Sequence, residues 1–135
     1  MPDPERLHQA VQDGDLDEVR RLVADGDDVN AFDDLGKAPL HYAVDREHVD
    51  VARYLIEHGA DVNARHEASL GNTPLAEVAA TCSYVMAKLL VDAGADPTIP
   101  GWMQLTALDR ARKRKRGDGP EVYELLARAA SRSRT

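Results

Sequence analysis

The sequence predicts an all-α solenoid, one small helical unit repeated and stacked along an axis, and two observations carry that reading. GADVNA, ending at Ala64, answers GDDVNA, ending at Ala31, at an offset of 33 residues. In the same frame APLHYA (Ala38 to Ala43) aligns with TPLAEV (Thr73 to Val78) and LTALDRA (Leu105 to Ala111), and Gly26, Gly59 and Gly94 each close the preceding block. A fixed period of this length means one supersecondary unit used several times, each copy unable to bury its apolar face alone. Function is therefore expected on a surface and not in a pocket.

GKAPLHYAV, HVDVARYLIEHGADVNA and GNTPLAEVAA resemble the ankyrin repeat. The resemblance implies a solenoid of helix-turn-helix units joined by short β-hairpin loops. It is strongest for residues 32 to 97. One domain of four units is expected: an N-terminal cap at 4–31 lacking its leading hairpin, units at 32–64 and 65–98, and a C-terminal cap at 99–130. A disordered tail at 131–135 completes the chain.

The elements can be justified in order. Gly14 keeps the family's glycine between the two helices of the first unit. In the second, Ala38 stands where the family has a capping Thr, which removes about 1 kcal/mol of helix-start stabilisation unless another group substitutes. The second helix of that unit runs from Val49 to His58 and stops at Gly59. In the third unit Thr73 is placed to cap a helix whose first position, Pro74, needs no donor, and Leu75, Val78 and Ala79 give it an apolar face. The following helix spans Ser83 to Ala93, with Tyr84, Met86, Ala87, Leu90 and Val91 at helical spacing and Gly94 as the terminating left-handed residue. Glu47 and Cys82 occupy the positions that hold Gly in the family. Either the backbone stays left-handed there, at about 1 kcal/mol each, or the turn is built differently.

Two insertions emerge by counting. Asn30 to Pro39 is 9 residues whereas Asn63 to Pro74 is 11, so the loop ARHEASLGN is two residues longer and should protrude. Leu108 to Leu126 is 18 residues against 15 for Leu40 to Leu55, the surplus falling near Gly117 to Gly119. Loops absorb such length at low cost.

Composition narrows the class. The chain has 135 residues, 43% of them apolar, with one Phe, one Trp and one Cys. That fits one domain built of thin layers filled by Leu, Val and Ala. No secretory leader is visible and no apolar run approaches the ~18 residues of a membrane span, so a soluble, cytoplasmic chain is expected. Cys82 alone cannot form an intramolecular disulfide.

Charge is the second strong signal. Residues 1 to 108 hold 8 Lys plus Arg against 20 Asp plus Glu, whereas residues 109 to 135 hold 9 against 4; the whole chain is at −7. The acidic front disfavours nucleic acid and anionic membrane as partners, because phosphate attraction supplies most non-specific affinity. A basic protein face suits it better. The run RARKRKR (Arg110 to Arg116) reads as a solvated helix end favoured by the macrodipole, with Arg110 and Glu77 in one column and able to pair.

Catalytic constellations are not apparent. His8, His41, His48, His58 and His66 are spread over three units without the HExxH spacing that presents two imidazoles to a metal. His8 and His41 share a column, and the resemblance gives that His a structural role at the hairpin and helix start. Cys82 has neither a neighbouring His nor an evident activating cation. No phosphate-binding or nucleophile-elbow motif occurs. No cofactor, metal or small-molecule substrate is expected.

The resemblance implies that partners meet the hairpin tips and the exposed side of the first helices, which together form a concave face. Carried across position by position, it nominates Phe32, Asp34, Leu35, Lys37, Asp45 and Arg46 in the second unit. In the third it nominates Ser69, Leu70, Asn72, Ala80 and Thr81. In the fourth it nominates Trp102, Met103, Leu105 and Lys113, although Gln104 replaces the expected Gly. Phe32, Leu35, Leu70, Trp102 and Met103 would be apolar fingertips; Trp102 and Met103 could equally fill the cap's own core, since PTIPGWM can fold back. The reading is a non-enzymatic protein-binding module acting by scaffolding or steric inhibition. Two alternatives stand beside it: an immunity-type inhibitor of a basic toxin or enzyme, and a structural repeat with no dedicated partner.

Overall fold

The computed structural model describes residues 5–66, 71–114 and 117–132. Among the described residues eight α-helices follow one another: α1 (Arg6–Asp13), α2 (Leu16–Ala24), α3 (Pro39–Asp45), α4 (Val49–Glu57), α5 (Pro74–Val78), α6 (Tyr84–Asp92), α7 (Ala107–Arg112) and α8 (Gly119–Arg132). Helices α1, α3, α5 and α7 pack side by side as one row, and α2, α4, α6 and α8 as a second. One apolar cluster runs through both rows from Leu7 to Leu126, with Leu22, Leu40, Leu55, Leu75 and Leu90 fully buried. Stacking supplies what each thin unit lacks, a second apolar surface.

Helix starts follow local chemistry. Asp15, Thr73, Ser83 and Thr106 each accept an amide from the first turn of the helix they precede, at 3.0–3.1 Å. Ala38 has no acceptor to offer. There the His41 amide turns to the Ala38 carbonyl at 3.0 Å, and the His41 ring reaches back so that Nδ1 accepts the Ala38 amide at 3.0 Å. A ring nitrogen thus takes up the donor at the start of α3, while the hydroxyl cap is missing.

The two turns that replace Gly differ. Glu47 is left-handed (φ 57°), and the His48 amide bonds back to the Ala43 carbonyl at 2.9 Å, the closure that also ends α1 at Gly14. Cys82 is not left-handed. The Val78 carbonyl instead accepts both the Thr81 and Cys82 amides, at 2.9 and 2.7 Å.

Neighbouring units are stitched at both ends of the layer. Asn30 Nδ2 donates to the Gly59 carbonyl at 3.0 Å while Oδ1 accepts the Asp61 amide at 2.7 Å; Asn63 repeats the pattern on Gly94 (3.2 Å) and Asp96 (2.7 Å). At the opposite end His48 Nε2 lies 3.1 Å from the Gln12 carbonyl, and the Asp118 carboxylate accepts the Tyr84 amide at 2.9 Å.

Several sequence expectations change. Tyr84, expected on the apolar face of α6, is exposed, because it sits at the open start of that helix. Glu77 pairs with Lys37 (3.0 Å) and not with Arg110, which turns to the Trp102 carbonyl at 3.4 Å. In the basic run, Arg114 donates to the carbonyls of Cys82 (2.9 Å) and Ala79 (3.4 Å), so it clamps the preceding unit. Residues 131 and 132, assigned to the tail, extend α8, and 133–135 lie outside the described residues. Residues 67–70 of the longer loop, including Ser69 and Leu70, also lie outside them; its Gly71 amide bonds to the His66 carbonyl at 3.2 Å. The loops before α3 and α7 carry no strand among the described residues; the Asp33 amide to Lys37 carbonyl and the Gly101 amide to Leu105 carbonyl close them, and the Gly36 amide to Asp33 carbonyl and the Gln104 amide to Gly101 carbonyl turn the chain inside them, 2.9 Å each.

Candidate protein-binding surface

The loop before α3 is organised by Asp33, a residue absent from the nominated set. Its Oδ1 accepts the amides of Leu35 (2.9 Å) and Lys37 (3.0 Å), and its Oδ2 accepts the Tyr42 hydroxyl. Burial pushes the Asp33 carboxyl upward, but the Tyr42 hydroxyl and the two amides outweigh it and hold the group below the usual carboxylate range. Tyr42 is pushed above its ordinary value by burial and by Asp33. An anion fixed under the loop forces the tip outward. Leu35 is consequently 71% exposed and Phe32 40%, with the Phe32 ring edge-on to His66 at 5.1 Å.

The last loop is fixed from the unit before it. Asn72 Oδ1 accepts the Trp102 amide at 2.8 Å, which anchors the backbone of a short 3-10 turn, Trp102–Gln104. Met103 and Gln104 take positive φ values of 59° and 60°, so the left-handed turn persists without the expected glycine. Trp102 and Met103 are 56% and 73% exposed. Of the two readings left open, core filling is thereby excluded.

The remaining nominated residues divide. Asp34 is exposed beside Leu35, and its amide lies 3.4 Å from the Glu5 carboxylate. Lys37 is committed to Glu77 and lies over the Tyr42 ring at 5.6 Å. Asn72 and Leu105 are half-buried. Asp45, Arg46, Ala80, Thr81 and Lys113 are exposed at the C-terminal ends of α3, α5 and α7, far along the first helices from the loop tips. The nominated positions thus form two borders, tips and helix ends. Between them the first-helix row carries Tyr42, Glu77 and Arg110.

The family model described as Ankyrin repeats (3 copies) matches residues 7–101. This chain belongs to the ankyrin-repeat family. Ankyrin repeats are generally non-enzymatic protein–protein interaction modules. No curated protein matches the chain.

In this ankyrin-repeat protein the column histidines diverge. His41 is buried, donates from Nε2 to the Asn72 carbonyl at 2.7 Å and accepts at Nδ1. Burial is the main reason its ring is held below the usual imidazole range. His8 keeps the Nε2 contact, 2.8 Å from the Ala31 carbonyl, but its Nδ1 has no partner among the described residues. Cys82 is buried, and burial pushes its thiol up to about 11, the opposite of an activated nucleophile. Among the described residues no His, Cys, Asp or Glu group is arranged to hold a metal, and no helix is long and apolar enough to cross a membrane.

Sequence reasoning missed Asp33 and Tyr42 in the second unit and Glu5 in the first. The signal for Asp33 was present, since Asp two residues before a turn amide is a common side-chain closure of the backbone. Glu5 became relevant only when α1 came to lie beside the 31–38 loop.

Proposed function

We propose that this chain is a non-enzymatic binding module that captures a protein partner across its loop tips and first-helix row. The observation that carries the reading is the exposure of four large apolar side chains, Phe32, Leu35, Trp102 and Met103, on tips whose backbones are held by Asp33 and Asn72. Leu35, Trp102 and Met103 are each more than half exposed, and aromatic anchors on a preformed backbone bind with little ordering cost. Asp34 beside Leu35, and Asp45 at the far end of α3, suit a partner with a basic face. We read the chain as one domain, with capping units at 4–31 and 99–130, acting in the cytoplasm by scaffolding or steric occlusion.

Capture from a lysate of the source organism, comparing the parent with a Phe32→Ala, Leu35→Ala, Trp102→Ala triple variant, tests this. The bound partner should fall by about tenfold or more in the variant and should weaken as salt is raised. An identical set of bound proteins in both arms would remove the proposed face.

A further inference from the structure

We infer that Arg110 and Lys113, beside the exposed Trp102 and Met103, form a subsite for one Asp or Glu side chain of the protein partner. The partner's contacting surface is then acidic opposite the fourth unit and basic opposite the second, which fixes its direction along the array. This rests on the binding reading above and names what that end of the face selects.

The first observation is the unequal fate of the cations on the first-helix row. Lys37 reaches Glu77 at 3.0 Å, and the Arg114 guanidinium is given to the Cys82 and Ala79 carbonyls. Arg110 has no carboxylate among the described residues. Its Nη2 makes one long contact, 3.4 Å from the Trp102 carbonyl, and its Nε is shut off from solvent without an acceptor. Lys113, three residues on at the end of α7, is exposed and forms no ion pair among the described residues. The one carboxylate of α7, Asp109, is turned to the helix start, where Oδ2 accepts the Thr106 amide at 3.1 Å. The outer amino groups of Arg110 are therefore left to an anion from outside the fold, and residues three apart on a helix are neighbours, so Lys113 adds its charge to the same place.

The second observation is the tip above them. Met103 and Gln104 hold left-handed backbone conformations that residues with a Cβ seldom take, and Asn72 fixes the Trp102 amide at 2.8 Å. The tip thereby presents Trp102 and Met103, 56% and 73% exposed, instead of tucking them in. An unfavourable backbone kept on a surface loop points to a use outside folding. Trp and Arg are the residues enriched among interface anchors, and neighbouring apolar groups that exclude water strengthen an ion pair between them.

Charge along the chain decides which anion fits. Residues 109 to 135 hold 9 Lys plus Arg against 4 Asp plus Glu, whereas residues 1 to 108 hold 8 against 20. A nucleic acid would meet that acidic remainder with its own phosphates. A single carboxylate on a surface of mixed sign meets only Arg110 and Lys113, while the basic part of the same surface faces Asp34 and Asp45.

The test uses the intact chain and three probes: acetyl-Leu-Glu-Leu-amide, its Gln analogue, which keeps the shape and removes the charge, and a short oligothymidylate. The indole N–H of Trp102, the sole tryptophan, and the amides of Met103 and Arg110 are followed by NMR, to about 10 mM peptide given the weakness of so small a ligand. The Glu peptide should move these signals, with the Gln analogue at least about fivefold weaker. Arg110→Gln should weaken the Glu peptide about tenfold and leave the Gln analogue unchanged. Lys113→Gln, at an exposed position, should weaken the Glu peptide about threefold at unchanged melting temperature. Equal response to both peptides, shifts centred elsewhere, no response, tighter binding of the oligothymidylate, or parent-like affinity in both variants would overturn the subsite. Any of these with capture still lost in the Phe32, Leu35, Trp102 triple variant would leave the broader binding reading standing.

Discussion

Glu47 caps a helix in the next unit: its Oε1 accepts the Ser83 amide and its Oε2 the Ser83 hydroxyl, 2.8 Å each. Ser83 in turn accepts the Met86 amide at 3.1 Å, so one carboxylate orients the residue that starts α6. The same Glu47 sits in a left-handed conformation that would suit glycine. Two effects of about 1 kcal/mol therefore oppose each other at one position, backbone strain and the inter-unit hydrogen bonds.

Substitutions separate the two. Glu47→Ala keeps the strain and loses the bonds, and should destabilise by about 1–2 kcal/mol. Glu47→Gly loses the bonds but relieves the strain, and should lie within about 0.5 kcal/mol of the parent. Urea unfolding of the three proteins measures this. A glycine variant no more stable than the alanine variant would mean that the turn bears no strain.

Helix starts give a second prediction. Ala38 and Thr73 occupy the same column with nearly the same backbone, φ −85° and ψ 163° against φ −68° and ψ 161°, and both are 1% exposed. Thr73→Ala should cost about 1 kcal/mol, because the Ala76 amide loses its acceptor. Ala38→Thr should gain about 0.5–1 kcal/mol, since the hydroxyl adds an acceptor at an existing helix start. Thermal midpoints of the two variants should move in opposite directions.

The pH dependence should expose His41. The neutral ring uses both nitrogens, one donating to Asn72 and one accepting from Ala38, and protonation would turn the acceptor into a second donor against an amide. Burial depresses its folded-state pKa. The unfolded chain therefore takes up the proton first, so the contribution is intact above the unfolded value of about 6.5 and is lost as pH falls below it. Chemical unfolding at about pH 7.5 and 5.5 should show the parent losing stability on acidification, and His41→Gln should flatten that part of the loss. An unchanged slope in the variant would assign the loss to other groups.

Much of this architecture was legible because it is local. The 33-residue period is written in the sequence itself, and the Thr73 cap and the ends of α4 and α6 depend on residues within a turn of one another. What was not legible depends on the neighbouring unit. Glu47 is left-handed and meets Ser83 across the stack, whereas Cys82 is not and offers its carbonyl to the Arg114 guanidinium. Tyr84 looked like core by spacing and is exposed because α6 begins there. At the surface, the tips Phe32, Leu35, Trp102 and Met103 could be named by register. Their supports, Asp33 and Asn72, could not be ranked, since a short polar side chain reveals its partner only once the loop has closed.

The contact between Gly101 and Asn72 gives the last prediction. A Cβ on Gly101 would lie 2.1 Å from Asn72 Oδ1, the atom that accepts the Trp102 amide. At Gly26, Gly59 and Gly94 a Cβ would meet nothing within 4 Å, and only their positive φ resists substitution. Gly59→Ala should therefore cost about 1 kcal/mol from backbone conformation alone. Gly101→Ala must instead displace Asn72, break the Trp102 anchor and shift the tip. Its cost should be about 1–2 kcal/mol, with a change in Trp fluorescence. Asn72→Ala removes the side-chain amide and the anchor and leaves the Cα of residue 72, 3.1 Å from the new Cβ, so adding Gly101→Ala to it should cost less than in the parent, a coupling of about 1 kcal/mol. Strict additivity in that double-mutant cycle would show that the glycine is required for some reason other than Asn72.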